Sequence, residues 1–479
     1  MSIPFGTDGW RGVIAEDCTF DAVRRVASAT ARVYLSGTGP GDRSRILVGY
    51  DTRFFSPEFA LVASEVFARA GIDVLLSDGP IPTPAVSYHV RRLRLAGGVV
   101  ITASHNPAPY NGFKVKAHFG GSAPPELYAR ISAEADRPLP DAPRPGRIER
   151  QDLLGSYREG IAALLDLGAV RACRLTVLAD SIHGAAGTLV ADVVGPGTLR
   201  VVPFRSERDV LFGGVHPEPI GPNLEASSRE VVARGLDLAV AHDGDADRLG
   251  VLDSRGRFVS PHRILALLLL HAFRRRGLSG GIARTFSTSI LIDRVAAKLG
   301  SPLHETAIGF KYVAELMNGG EAAAGGEESG GYAFGFHLPE RDGVFNALLL
   351  LESLAQAGRD LDGALGDLAA EFGTFEYDRR DVHLPVAVVR AYLERVRSDP
   401  PAAVAGIPVT GVVTKDGVKY RFGEDGWLLH RLSGTEPMVR LYCEHVDGEA
   451  VARILAASEG RLREFAARSP AGRERPGGS

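Results

Sequence analysis

Short apolar runs, each closed by a polar or glycine-rich loop and followed by a helical pattern, recur along the chain. Ile46-Leu47-Val48-Gly49-Tyr50 reads as a strand running into Asp51-Thr52-Arg53. Phe59, Val62, Ala63, Val66, Phe67 and Ala70 then share one helical face. Ser56 is the expected N-cap of that helix, Pro57 its first residue and Gly71 its stop. A strand over 72–76 follows. The same grammar returns at 175–178, with a helix expected from Ala185, and at 281–284, with a helix through Lys298. Downstream of each copy, the segments 97–103, 236–241 and 321–326 end in further polar loops. This pattern predicts three diverged α/β units, each presenting one functional loop.

The last hundred residues change character. Residues 412–422 read as a hairpin with a two-residue Asp416-Gly417 turn, followed by strands over 427–432 and 438–444 and a helix over 449–468. The Pro- and Gly-rich end, 469–479, reads as a frayed tail. The proline-rich stretch 137–145 marks a first boundary, and the expected units are 1–148, 149–255, 256–371 and 372–479. The predicted fold class is α/β, with three similar α/β domains and a smaller α+β domain.

The length of 479 residues agrees with several domains at roughly 150 residues each. Lys plus Arg is 55 against 58 Asp plus Glu, a net charge of -3, so no overall positive field draws nucleic acid or an anionic membrane. Any anion site must be local. The longest apolar runs, 264–270 and 347–351, fall far short of the roughly 20 residues of a membrane span. The amino-terminal stretch has neither a basic nor an apolar leader region, and the expected location is the cytoplasm. Three scattered cysteines, Cys18, Cys173 and Cys443, fit neither a disulfide framework nor a zinc cluster and are expected to be buried.

Four loops carry candidate chemistry. Thr102-Ala103-Ser104-His105-Asn106-Pro107 places Ser104 after a strand, where open α/β sheets bind ligands. Ser104 is a nucleophile candidate, and a polar turn closed by Asn106-Pro107 is the alternative. His105 is expected to point away from Ser104 on an extended chain. His242-Asp243-Gly244-Asp245-Ala246-Asp247-Arg248 gathers three carboxylates at alternate positions, a set that suits oxygen ligation of Mg²⁺. The calcium-loop alternative fails, because Arg248 and Ser254 stand where Gly and Glu are required. A solvated acidic turn is the other reading.

Gly325-Gly326-Glu327-Glu328-Ser329-Gly330-Gly331 offers carboxylate acceptors to sugar hydroxyls, or is a flexible acidic turn. Arg431-Leu432-Ser433-Gly434-Thr435-Glu436-Pro437 has a guanidinium, hydroxyls and backbone N–H groups suited to a phosphate. No GxxxxGK[ST] or GxGxxG run supports a nucleotide reading. Arg11 and Lys114 are further cations that could reach the same cleft; each taken alone reads as a surface charge.

In this order, the four loops resemble those of the α-D-phosphohexomutase family, from Phe5 to about Glu444. The resemblance implies three α/β domains and a smaller one around a central cleft. It also implies that Ser104 is a phosphoserine whose oxygen joins Asp243, Asp245 and Asp247 in holding Mg²⁺. Glu327 and Ser329 would hold sugar hydroxyls, and Arg431, Ser433, Gly434 and Thr435 the phosphate that is not reacting. Arg11, Lys114 and Arg248 would surround the transferring group, with Lys114 the leading acid/base, and Lys311 would be a further contact. The implied reaction interconverts hexose 1- and 6-phosphates, with a hexose 1,6-bisphosphate as intermediate and activator. Gly331 replaces a histidine of other family loops, so glucose is the preferred sugar, with mannose possible. A phosphoglucosamine mutase and a catalytically silent sugar-phosphate-binding homologue are the alternatives. Expected partners are small sugar phosphates, with no nucleic acid and no membrane, for a monomer or dimer.

Overall fold

The computed structural model describes residues 5–6, 8–36, 44–139, 141–433 and 437–469. The first sheet has the strand order Trp10–Val13, Tyr110–Ala117, Gly97–Ile101, Arg45–Tyr50, Asp73–Ser77, Ile148–Gln151. Its inner strands pair in parallel, and Tyr110–Ala117 runs antiparallel to Gly97–Ile101. The second sheet repeats this plan around Thr176–Asp180, with Leu238–His242 parallel to it and Leu249–Leu252 antiparallel beyond. In the third, Ala322–Gly326 lies parallel to Gly281–Thr285 and antiparallel to Tyr332–Phe334. Each of the first three functional loops therefore leaves the carboxyl end of a parallel strand and returns along an antiparallel neighbour. Both its ends are fixed by ladder hydrogen bonds. The fourth sheet is wholly antiparallel, in the order Glu376–His383, Met438–His445, Gly426–Leu432, Val418–Arg421, Gly411–Val413.

One apolar core runs through the first three units, from Leu47 and Val86 through Val177 and Val240 to Ile282 and Leu348. The helix Gly343–Ala357 lies at its middle and is buried on nearly all sides, as its run Ala347-Leu348-Leu349-Leu350-Leu351 requires. Asp342 caps it by accepting from Phe345 N–H, and also accepts from the Tyr157 hydroxyl of the second unit. The fourth unit has a core of its own, built on Leu428, Val439, Leu441 and Ile454. It meets the third unit through a small cluster of Phe286, Trp427, Leu429 and Tyr442. No helix among the described residues is long and apolar enough to cross a membrane.

Several local expectations are corrected. The helix Ser56–Arg69 begins one residue early, because Phe55 at its cap takes a left-handed φ of 61° and the Ser56 hydroxyl donates to Asp51 instead. The helix expected from Ala185 begins at Leu189. The hairpin of the fourth unit has a four-residue connection, 414–417, between the strands Gly411–Val413 and Val418–Arg421. Within and just beyond the proline-rich stretch, Ala142 and Gly146 N–H groups donate back to Arg69 and Ala68, and Ile148–Gln151 pairs with Asp73–Ser77. Cys18 and Cys443 are buried, but Cys173 is only half-buried.

Candidate active site

Ser104 sits in the left-handed region, at φ 52°, a conformation that costs a residue with a side chain about 1–2 kcal/mol. Buried polar neighbours hold it there. Its N–H donates to Thr102 Oγ1 at 2.8 Å, and that hydroxyl donates to Asp51 at 2.6 Å. Asp51 also pairs with Arg53, which is fully buried. The Arg53 guanidinium donates to the carbonyls of Ser104 (2.6 Å), Asn106 (2.5 Å), Pro107 (2.9 Å) and Tyr110 (3.0 Å). One guanidinium thus pins the whole loop. Arg11 holds its far side, donating to the Asn106 side chain at 2.6 Å.

The turn at Ser104 directs its hydroxyl across the domain junction, where Oγ donates to Asp243 at 2.9 Å. The same turn leaves His105 Nδ1 3.5 Å from Oγ, which corrects the extended-chain expectation. Burial, followed by the fields of Arg248, Arg11, Lys114 and Arg440, pushes His105 well below its usual range, so the ring is neutral.

Asp243, Asp245 and Asp247 are buried, with ligand oxygens within 4.8 Å of one another. At that separation and an effective dielectric of about 20, each like-charged pair repels by about 3 kcal/mol. Cations answer this charge. Lys114 Nζ lies 2.8 Å from Asp245, 3.1 Å from Asp247 and 3.0 Å from Asp8. Burial alone would lower the lysine, but these three carboxylates outweigh it and hold the ammonium above the ordinary range. Arg248 closes the cluster, its Nε 4.0 Å from Asp243 and 3.9 Å from Asp247. Burial and the neighbouring aspartates push Asp243 well above the carboxylate range. One oxygen each of Asp245 and Asp247 is buried without a hydrogen-bond partner among the described residues. Oxygen-only donors with unsatisfied lone pairs fit a hard divalent cation.

The residues of the 325–331 loop enter through Arg341. Its guanidinium reaches Asp8 of the first unit at 2.6 Å, Asp247 of the second at 2.7 Å and Glu327 of the third at 3.4 Å. Burial pushes Glu327 up to about 7. The Ser329 hydroxyl is buried with no partner among the described residues. A Cβ on Gly331 would lie 2.3 Å from Arg341 Cδ, so the arginine stem fills the space that a larger residue would need. In the fourth unit, Arg431 pairs with Asp416 at 3.0 Å and Ser433 N–H donates to Met438 O. Gly434 and Thr435 lie outside the described residues. Lys311, in the first turn of its helix, is placed over the Tyr312 ring at 5.1 Å, outside the contacts that join the others.

Ser104, Lys114, Arg11, Arg248, the three aspartates and Glu327 therefore converge. Lys114, read singly as a surface charge, is 1% exposed. Asp8, Asp51, Arg53 and Arg341 were not singled out from the sequence. The one available signal was Glu340-Arg341-Asp342, three charges immediately before a wholly apolar helix.

All four units match descriptions of phosphoglucomutase/phosphomannomutase: α/β/α domain I over residues 2–139, domain II over 155–256, domain III over 260–372 and the C-terminal domain over 388–459. A phosphoglucosamine mutase of Rhodococcus jostii is 34% identical, covering 94% of this chain and 97% of its own. A phosphoglucomutase/phosphomannomutase of Thermococcus kodakarensis is 30% identical, covering 96% of each. Among solved structures, a candidate phosphomannomutase from Thermus thermophilus is 38% identical with a TM-score of 0.85, over 97% of this chain and 100% of that one. Matches in chain order to every unit, and relatives alike along nearly the whole length, lead to one conclusion: the chain belongs to the α-D-phosphohexomutase family, enzymes that are intramolecular phosphotransferases.

Proposed function

We propose that this chain interconverts the 1- and 6-phosphates of a hexose or hexosamine through phosphorylated Ser104. The observation that carries the reading is the Ser104 hydroxyl, turned across a domain junction to 2.9 Å from a buried triple-aspartate cluster and ringed by cations. Phosphoryl transfer needs positioning and charge neutralisation above all. In the forward step the Oγ–P bond of phospho-Ser104 breaks and a bond forms from phosphorus to the free hydroxyl of a bound hexose monophosphate. That hydroxyl gives up its proton, and Ser104 Oγ ends protonated. The bisphosphate then turns, and its other phosphate returns to Ser104. The neutral His105 ring, 3.5 Å from Oγ, would accept the Ser104 proton in the return step, and the charged Lys114 would donate one. Asp243, Asp245, Asp247 and the Ser104 oxygen would hold Mg²⁺, which when bound neutralises charge on the phosphoryl oxygens. Glu327 and Ser329 would hold sugar hydroxyls, and Arg431 with Ser433 the waiting phosphate.

The preferred sugar departs from the glucose expected from the loop. Relatives from Rhodococcus jostii and Chromohalobacter salexigens carry the name phosphoglucosamine mutase, and this supports glucosamine phosphate ahead of glucose and mannose phosphates. The test is turnover of glucosamine, glucose and mannose 1-phosphates by purified protein with Mg²⁺ and a trace of the matching bisphosphate, beside Ser104→Ala. Loss of at least a thousandfold in Ser104→Ala is expected. Undiminished turnover by that variant would sink the phosphoserine.

A further inference from the structure

Side chains alternate between the faces of a strand, so Gly426–Leu432 presents two different surfaces. Trp427 and Leu429 face the third unit, where they cluster with Phe286. Leu428 and His430 face the other way, toward the fourth unit's own core and the helices Val386–Ser398 and Gly448–Arg468 that cover it. On that side a pocket of about 690 Å³ opens between the two helices and the sheet. Its size falls within the roughly 300–1,000 Å³ usual for small-molecule sites. The rings of Tyr392, Tyr420 and Phe465 line it, Phe465 centred 5.6 Å from Tyr392. His430 lines it as well and is 2% exposed, with its ring 5.3 Å from that of Tyr420 and its Nδ1 3.3 Å from the Tyr392 hydroxyl. Its Nε2 is buried with no hydrogen-bond partner among the described residues. Burial, followed by the field of Arg461, brings this ring down to about 3, so it is neutral. The charged groups of the lining are Arg395, Arg461 and Arg468 against Asp399 and Glu464. Arg395 pairs with Asp399, whereas Arg461 and Arg468 have no ion pair among the described residues.

Each of these features asks something of an occupant. Walls made of aromatic rings take a flat apolar body. With Nδ1 turned to the Tyr392 hydroxyl, Nε2 carries the proton, and a buried donor left unmade is costly until an acceptor oxygen reaches it. Guanidiniums without carboxylate partners favour an acid over a neutral group. We propose that this pocket is a second ligand site, for a small aromatic carboxylate that accepts from His430 Nε2 within the positive field of the lining arginines. The site lies on the opposite face of the sheet from Arg431 and is independent of the mutase reading. Its floor is the strand that runs on into the 431–437 loop.

The test titrates the full chain with 2-naphthoate, a flat bicyclic carboxylate, by calorimetry. One-to-one binding with a dissociation constant below about 1 mM is expected, in keeping with the affinity per atom of small ligands. Uncharged 2-naphthamide should bind about tenfold more weakly. His430→Phe, which keeps a ring and removes the nitrogen, should weaken 2-naphthoate about tenfold, and Arg461→Gln, an exposed change that leaves the core untouched, should weaken it about threefold. Ala391→Trp puts an indole into the pocket from an exposed position of its lining and should abolish binding while sugar-phosphate turnover stays at the parent rate. Absence of saturable binding to the parent protein overturns the proposal, as does binding that survives Ala391→Trp. Equal affinity for the acid and the amide would overturn the assigned ligand class.

Discussion

Glu327 shows how the residue scale sets pH behaviour. A carboxyl at about 7 in the folded chain and at its ordinary value of 4.5 when unfolded binds more protons in the folded state between those pH values. Stability from this group is therefore full below about 4.5 and lost as pH rises to about 7, by about 3 kcal/mol at most. The thermal midpoint of the parent protein should fall across that window relative to Glu327→Gln, which carries no titrating proton. Parallel midpoint curves for the two proteins would refute the assignment. Single residues also mark where the sequence was silent. Asp8 and Arg341 are 333 positions apart and meet at 2.6 Å. No local pattern joins them, because only the packing of one unit on another creates the pair. Ser104 and the three aspartates could be singled out because each lies in a contiguous run after a strand, although a polar or acidic turn stays open for each loop until the four are read in order.

At the scale of elements, the loops are as readable as the strands that feed them, and their fine conformation is not. The repeat of strand, loop and helix located all three α/β sheets, since apolar runs and glycine stops are local signals. Ser56 misled because its hydroxyl is spent on buried Asp51, a partner five residues away that capping rules do not consider. His105 misled because the loop turns left-handed at Ser104 under the grip of Arg53. The 325–331 loop gives a sharper test of how tightly an element is specified. In Gly331→Ala the new methyl would sit 2.3 Å from Arg341 Cδ, so that side chain must leave its place among Asp8, Asp247 and Glu327. Turnover should drop about a hundredfold while the fold survives, because a small misplacement in a charged site costs about that much. Parental kinetics in that variant would show that the contact is dispensable.

At the scale of the whole molecule, the junction between the third and fourth units contains an unusual cation. Burial brings Lys419 down to about 7, between the rings of Phe286 at 4.1 Å and Trp427 at 4.4 Å, where its Nζ donates to the Phe286 carbonyl. The unfolded chain keeps this proton up to about 10.5, so the folded state binds fewer protons between those values and the junction strengthens as pH rises from about 7. Thermal midpoints of the parent protein should rise relative to Lys419→Met over pH 7 to 9. A constant difference would place the lysine outside the energetics of the junction. Trp427 beside it donates to Glu444, which also accepts from the Ile290 N–H at the start of a third-unit helix.

The continuous core of the first three units has a mechanical consequence. Units that share one close-packed interior cannot rotate past each other without opening it, whereas the fourth has its own core and meets its neighbour through a small ring cluster and a set of hydrogen bonds. The first three units are therefore one packed block to which the fourth is joined by a smaller contact. Under the proposed mutase reading, a hexose phosphate spanning from Ser104 to Arg431 would bridge that joint, so its length would fix how far the fourth unit stands from the block.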